Sequence, residues 1–170
     1  MEINLKLIDK AGELLQKKKA TIAVAESVTS GNLQAAFSLA MNATTFFQGG
    51  ITAYNIGQKS RHLLVEPIHA LAVNCVSEKV SIQMAKEVCN LFKSDYGIGI
   101  TGYASPVPEK NIKQLFAHVA IVKGNILIRS EKIISSKQKP ADVQIDFTEK
   151  AIQILIEALK APIRKSQNLK

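Results

Sequence analysis

Apolar residues along the chain alternate between helical spacing and short β-branched runs, and that alternation predicts the elements. From Asn4 to Lys18, Leu5, Ile8, Leu14 and Leu15 fall at helical spacing, and the run Lys17-Lys18-Lys19 reads as a solvated face. Ala20-Thr21-Ile22-Ala23-Val24-Ala25 is short and β-branched, the pattern of a buried strand. It breaks at Glu26-Ser27-Val28-Thr29-Ser30-Gly31, after which Leu33, Ala36, Phe37 and Ala40 resume helical spacing from about Asn32. Strand, polar turn and helix make the first half of a βα unit. Such turns aim free N–H groups and the positive end of the helix at the strand's C-terminal edge, where anions bind.

A second strand is expected from Phe46 to Tyr54, with Gly49-Gly50 marking a bulge or a close backbone approach. A short helix carrying Lys59, Leu63 and Leu64 stops before Pro67. Ser77 is positioned to cap a long helix running through Val80, Met84, Val88 and Leu91. Tyr96 to Thr101 reads as a third strand, ending in Gly102-Tyr103-Ala104-Ser105-Pro106. Leu115 to Val122 and Ile126 to Ile134 flank Lys123-Gly124-Asn125, a hairpin signal. A last helix covers about Pro140 to Leu159. This order predicts an α/β fold, a three-layer α/β/α sandwich around a mixed, mostly parallel sheet. At 170 residues the chain suits one domain over 1–162, followed by a basic tail at 163–170.

Composition narrows the partners. Hydrophobic residues at 46% and charged residues at 21% are those of a globular protein. The net charge of +8 favours a phosphate-bearing ligand or an acidic partner, but no nucleic-acid module or aromatic stacking pattern accompanies it. Nucleic acid is therefore not the expected partner. Cys75 and Cys89 lack CxxC spacing, and His62, His69 and His118 lack metal-like spacing, so no metal site is expected. The cysteines read as small buried hydrophobes of a reducing compartment. The N-terminus lacks a secretory profile and no apolar run is long enough to span a bilayer. The expectation is a cytoplasmic protein with no membrane partner.

Three strand-end segments carry a resemblance. Ala25-Glu26-Ser27-Val28-Thr29-Ser30-Gly31 is similar to the Ala-Glu-Ser-Cys-Thr-Gly-Gly motif of the CinA C-terminal family. Asn42-Ala43-Thr44, Phe47, Gly50, Tyr54-Asn55 and Lys59 resemble its Gly-Ser-Ser…Phe…Gly…Tyr-Ser-Asn…Lys stretch. Val76-Ser77-Glu78 and Gly102-Tyr103-Ala104-Ser105-Pro106 resemble its Val-Ser-Glu and Gly-Ile-Ala-Gly-Pro. The match covers about residues 5 to 160. It implies the family's activity, hydrolysis of the carboxamide of nicotinamide mononucleotide to nicotinate mononucleotide and ammonia, and a tendency to self-associate. By the same resemblance, Thr44 falls on the catalytic serine, and Tyr54 and Lys59 on the catalytic tyrosine and lysine. A small nucleotide is the implied substrate, with no cofactor. The chain departs from the pattern at Thr44 for serine and at Ser30 for glycine. Glu109 to Leu115 stand where the family has a glycine-rich insertion, and Ser135-Ser136-Lys137-Gln138-Lys139 where it has Gly-Asp-Arg.

Amide hydrolysis needs a nucleophile, a base for its proton and donors for the oxyanion. A lysine in an apolar cleft has its pKa lowered enough to serve as base. Thr44 would then attack, Tyr54 would relay or position a proton, and the Thr29-Ser30-Gly31 helix start would hold the ligand phosphate. Ser27, Thr101 and Gly102 would shape the same pocket. Glu26, a carboxylate after a buried strand, needs partners. Accepting backbone hydrogen bonds from neighbouring loops and orienting Lys59 are both open to it. Two readings compete with the enzyme: an inactive relative that binds a nucleotide or a protein partner, and, less favoured, a nucleic-acid binder.

Overall fold

The computed structural model describes residues 4–161, so the basic tail expected at 163–170 lies outside the described residues. The element order is α1 (Leu5–Lys17), β1 (Ile22–Glu26), α2 (Asn32–Ser38), β2 (Phe47–Thr52), α3 (Ile56–Leu63), α4 (Pro67–Ala72), α5 (Glu78–Leu91), β3 (Tyr96–Gly102), β4 (Leu115–Lys123), β5 (Ile126–Ser135) and α6 (Pro140–Lys160). One five-stranded sheet runs in the order β2-β1-β3-β4-β5. β1 pairs parallel with both β2 and β3, and β4 and β5 are antiparallel. This is the mixed α/β sandwich that the alternation of periods predicted.

Side-chain alternation along the strands builds the layers. Ile22 and Val24 of β1, Ile98 and Ile100 of β3, and Val119 and Ile121 of β4 join the large core that includes Ile8 of α1, Phe37 of α2 and Phe147 and Leu155 of α6. Ala23 and Ala25 point the other way, into a second core with Leu63 of α3, Ala70 of α4 and Met84 of α5. Along that second face α5 lies almost on the backbone of β3. A Cβ added at Gly99 would sit 2.1 Å from the Ser81 carbonyl oxygen, and one at Gly97 would sit 2.2 Å from that of Ala85. The two glycines are therefore required by proximity.

Local details follow the turn chemistry. The β1–β2 register slips at Ile22/Ala23, opposite the residues just before Gly49-Gly50, so the glycine pair does mark an irregularity. Ser77 caps α5 by accepting from the Val80 N–H at 3.2 Å. One element went unread in the sequence: Pro67 ends nothing but opens α4. Proline suits the first helical turn, where its missing N–H costs no hydrogen bond. Glu66 supplies the cap by accepting from Ile68 and His69 N–H groups at 2.8 Å each. Those amides hold its carboxyl below the usual range.

Candidate active site

A cleft of about 670 Å³ opens beyond the carboxyl ends of β1 and β3, where parallel α/β sheets place their ligands. Ser27 and Val28 follow β1, Thr101, Gly102 and Tyr103 close β3, and Tyr54 and Lys59 come from the β2–α3 connection and the first turn of α3. Leu71, Asn74 and Cys75 complete the wall between α4 and α5.

Lys59 is the group with most chemical potential here. It sits on α3 with its side chain 1% exposed, and its Nζ donates to Ser27 Oγ at 2.8 Å and to the Ala53 and Tyr54 carbonyl oxygens at 2.9 Å each. Burial pushes its ammonium down from 10.5 to about 8, an effect opposed in part by the nearby Cys75 thiol. The partners decide what happens when the proton leaves. Carbonyl oxygens only accept, so a neutral amine must keep its two N–H groups on Ala53 and Tyr54. Its lone pair is then left for Ser27, whose hydroxyl can turn from acceptor to donor. The arrangement is an amine poised to draw a proton from a serine hydroxyl.

Glu26, one residue before Ser27, does not enter the cleft. It is fully buried, and its carboxylate accepts from Thr29 Oγ1 at 2.6 Å and from the N–H groups of Gly31, Leu33 and Gln34 at 3.0–3.1 Å. The Gln34 side-chain amide adds a contact at 3.1 Å. Of the two roles open to Glu26, the structure shows the first, anchoring a neighbouring loop and helix start. This corrects the expectation that Thr29-Ser30-Gly31 hold a phosphate. The free N–H groups at the start of α2 already face the protein's own carboxylate, and a phosphate there would be repelled. Thr29 is buried on Glu26, Ser30 is exposed, and Glu26, Thr29, Ser30 and Gly31 all stay outside the cleft lining.

A family model of the CinA C-terminal domain matches residues 4–159. The chain belongs to the CinA C-terminal domain family. A CinA-like protein of Picosynechococcus is 39% identical over 104 residues, covering 61% of this chain and 25% of that protein. A putative competence-damage inducible protein of Moorella thermoacetica is 30% identical over 153 residues, covering 88% of this chain and 36% of that protein. The chain thus spans between a quarter and about a third of the length of these curated relatives. Among solved structures, the fold is shared with a competence or damage-inducible protein from Enterobacter asburiae, at TM-score 0.86 and 23% identity over 94% of this chain and 99% of that one. A CinA superfamily protein from Klebsiella pneumoniae superposes at TM-score 0.85 and 22% identity, over 91% and 96% of the two chains.

Set against the CinA C-terminal motifs, the cleft collects some of the residues they indicate and not others. Tyr54, Lys59, Ser27, Thr101 and Gly102 all line it. Thr101 is buried and its hydroxyl donates to the Cys75 carbonyl oxygen at 2.8 Å, tying the end of β3 to the turn before α5. Thr44 is not there, and the expectation that it faces Lys59 is corrected. It lies exposed in a 3₁₀ turn, Ala43–Thr45, before β2, whereas Tyr54 and Lys59 follow the other end of that strand. The six residues of β2, at about 3.3 Å each, put roughly 20 Å between the two ends. Within one chain, the hydroxyl next to Lys59 is that of Ser27.

Among the lining residues that had escaped the sequence, three matter most. Cys75, expected in the core, is only half-buried and faces the cleft. Asn74 and Cys75 adopt left-handed φ of +52° and +59°, which turns the chain out of α4 and toward the cleft. Tyr103 was quoted only as part of a strand-end turn. The one signal for them was Glu66-Pro67, which announces a helix and places its far end beside β3.

Proposed function

We propose that this chain is a hydrolase of the carboxamide of a nicotinamide nucleotide such as nicotinamide mononucleotide, with Ser27 as nucleophile and Lys59 as base. The observation that carries this reading is the 2.8 Å contact between the Lys59 amine and the Ser27 hydroxyl inside the cleft. Neutral Lys59 takes the Ser27 proton while Oγ attacks the amide carbon. The same proton then goes to the departing ammonia, and water, deprotonated by Lys59, releases the acid from the ester. Tyr54, exposed at the mouth, contacts the substrate there. The family resemblance supports the substrate class, and the Lys59 pKa near 8 supports a base working close to neutral pH. Self-association and a cytoplasmic setting belong to the same proposal. Exposed Tyr54 and Leu71 in the cleft lining, with exposed Ile68 on α4, support the first. Among the described residues, no helix is long and apolar enough to cross a membrane.

The test is ammonia release from nicotinamide mononucleotide by the wild-type chain, Ser27→Ala, Lys59→Met and Thr44→Ala. Ser27→Ala and Lys59→Met are expected to lose at least ~1000-fold in kcat/KM, and Thr44→Ala less than about threefold. The wild-type rate should climb with pH through about 8, as Lys59 gives up its proton. No ammonia at any pH between about 6 and 9 would end the reading. A second reading, a nucleotide binder without turnover, is favoured by the same ammonium seen as a clamp, since it ties three segments together. Tight binding with no ammonia is its signature.

A further inference from the structure

The cleft contains a second feature that the proposed chemistry does not use, an aromatic ring held on two sides before any ligand arrives. Tyr103 follows β3 and lines the cleft. Its hydroxyl accepts from Asn74 Nδ2 at 3.0 Å, and its own N–H donates to the Phe116 carbonyl oxygen at 2.9 Å. Its ring meets that of Phe116 edge-on, with centroids 5.5 Å apart and planes at 72°. Phe116 is itself backed by Lys132, whose Nζ sits 4.0 Å from the ring centroid, and by the His118 ring at 5.8 Å. A side chain immobilised in this way has already lost its rotamer freedom, so contact with a ligand does not incur that cost again. Where the family motif has isoleucine, in Gly-Ile-Ala-Gly-Pro, this chain has Tyr103. The departure replaces an aliphatic side chain with a flat π surface in the wall of the reaction cleft.

We propose that Tyr103 is the specificity-determining residue of the cleft, a stacking surface that selects ligands carrying a flat aromatic ring. The inference deepens the amidohydrolase reading and rests on it for the choice of ring. Stacking of a base on an aromatic side chain is worth ~1–3 kcal/mol, or about 5- to 150-fold in affinity. Tyr103 therefore sets which amide is held, while Ser27 and Lys59 act on it.

Calorimetric titration of the full chain and of Tyr103 variants with nicotinamide mononucleotide and with ribose 5-phosphate, which lacks the pyridinium ring and its carboxamide, separates this role from a structural one. The wild-type chain is expected to bind the nucleotide at least ~10-fold more tightly. Tyr103→Ile, which installs the family's residue, should shrink that preference about tenfold and leave ribose 5-phosphate within about twofold. Tyr103→Phe keeps the ring, loses the Asn74 bond and should keep most of the preference. In turnover, Tyr103→Ile should raise KM for the nucleotide and leave kcat within about threefold. Equal affinity of the wild-type chain for the two probes would overturn the proposal. So would a Tyr103→Ile variant that retains the preference, or one that weakens both probes alike. The binding comparison needs no turnover, so a chain that discriminates the ring and releases no ammonia overturns the amidohydrolase reading alone.

Discussion

Two opposite charges are buried in space near the end of β1, and they do not pair with each other. Glu26 is closed off, with five donors surrounding its carboxylate and none of its surface in the cleft. Lys59 is equally buried, but its three acceptors include one hydroxyl that can reverse its hydrogen bond, and it lines the cleft. Both charges are compensated by dipoles instead of by a counter-ion. The difference lies in what surrounds them. Four of the five donors to Glu26 are amide N–H groups, which can only donate, and its carboxylate stays outside the cleft, so Glu26 serves the fold. Ser27 can donate or accept, so Lys59 can lose its proton without leaving an unpaired atom. A buried charge is available for chemistry when it and an amphoteric partner both line the cleft.

The sharpest way to break that contrast is to remove the closed charge. Glu26→Ala strands three backbone N–H groups at the start of α2, and should cost about 3–4 kcal/mol in urea unfolding. A loss near zero would mean that the carboxylate organises nothing. Next in size is the pH response of the open charge. Lys59 has a folded pKa near 8 and an ordinary value of 10.5, so between those limits the unfolded chain binds more protons. Stability contributed by this group therefore rises with pH across that window, by on the order of 3 kcal/mol in total. The rise should be missing from Lys59→Met, and urea midpoints of both proteins from about pH 7.5 to 10.5 will read it. Smallest is Thr29→Val, which deletes one hydroxyl from the Glu26 shell. It should cost about 1.5 kcal/mol by the same unfolding assay and leave ammonia release unchanged.

Much of the fold was legible because short-range rules govern it. Strand-like apolar runs at 20–25 and 115–134, the Lys123-Gly124-Asn125 turn and the Ser77 cap are all stated by neighbouring residues. The site was legible only in part. Tyr54 and Lys59 lie close in sequence and on the same side of the sheet, so reading them together succeeded. Thr44 precedes Tyr54 by only ten residues, but a whole strand intervenes, and an extended strand converts a small sequence gap into a long distance. The burial of Lys59 was invisible locally, since a lysine on a short helix looks solvated until α4 and the end of β1 cover it. Pro67 was read as a stop, although proline punctuates the beginning of a helix as readily as its end. Missing α4 meant missing Asn74 and Cys75, and with them the wall that meets Tyr103.

The contact of α5 with Gly97 and Gly99 has a mechanical consequence for the cleft. With only hydrogen atoms between helix and strand, that side has no slack, and the residues at the end of β3 stand on an anvil. The opposite wall is hung from Leu64, Asn74 and Cys75, non-glycine residues in left-handed geometry that bracket the single short helix α4. The face carrying Tyr103 is therefore the unyielding side of the cleft, and the Asn74–Tyr103 hydrogen bond fastens the other wall to it.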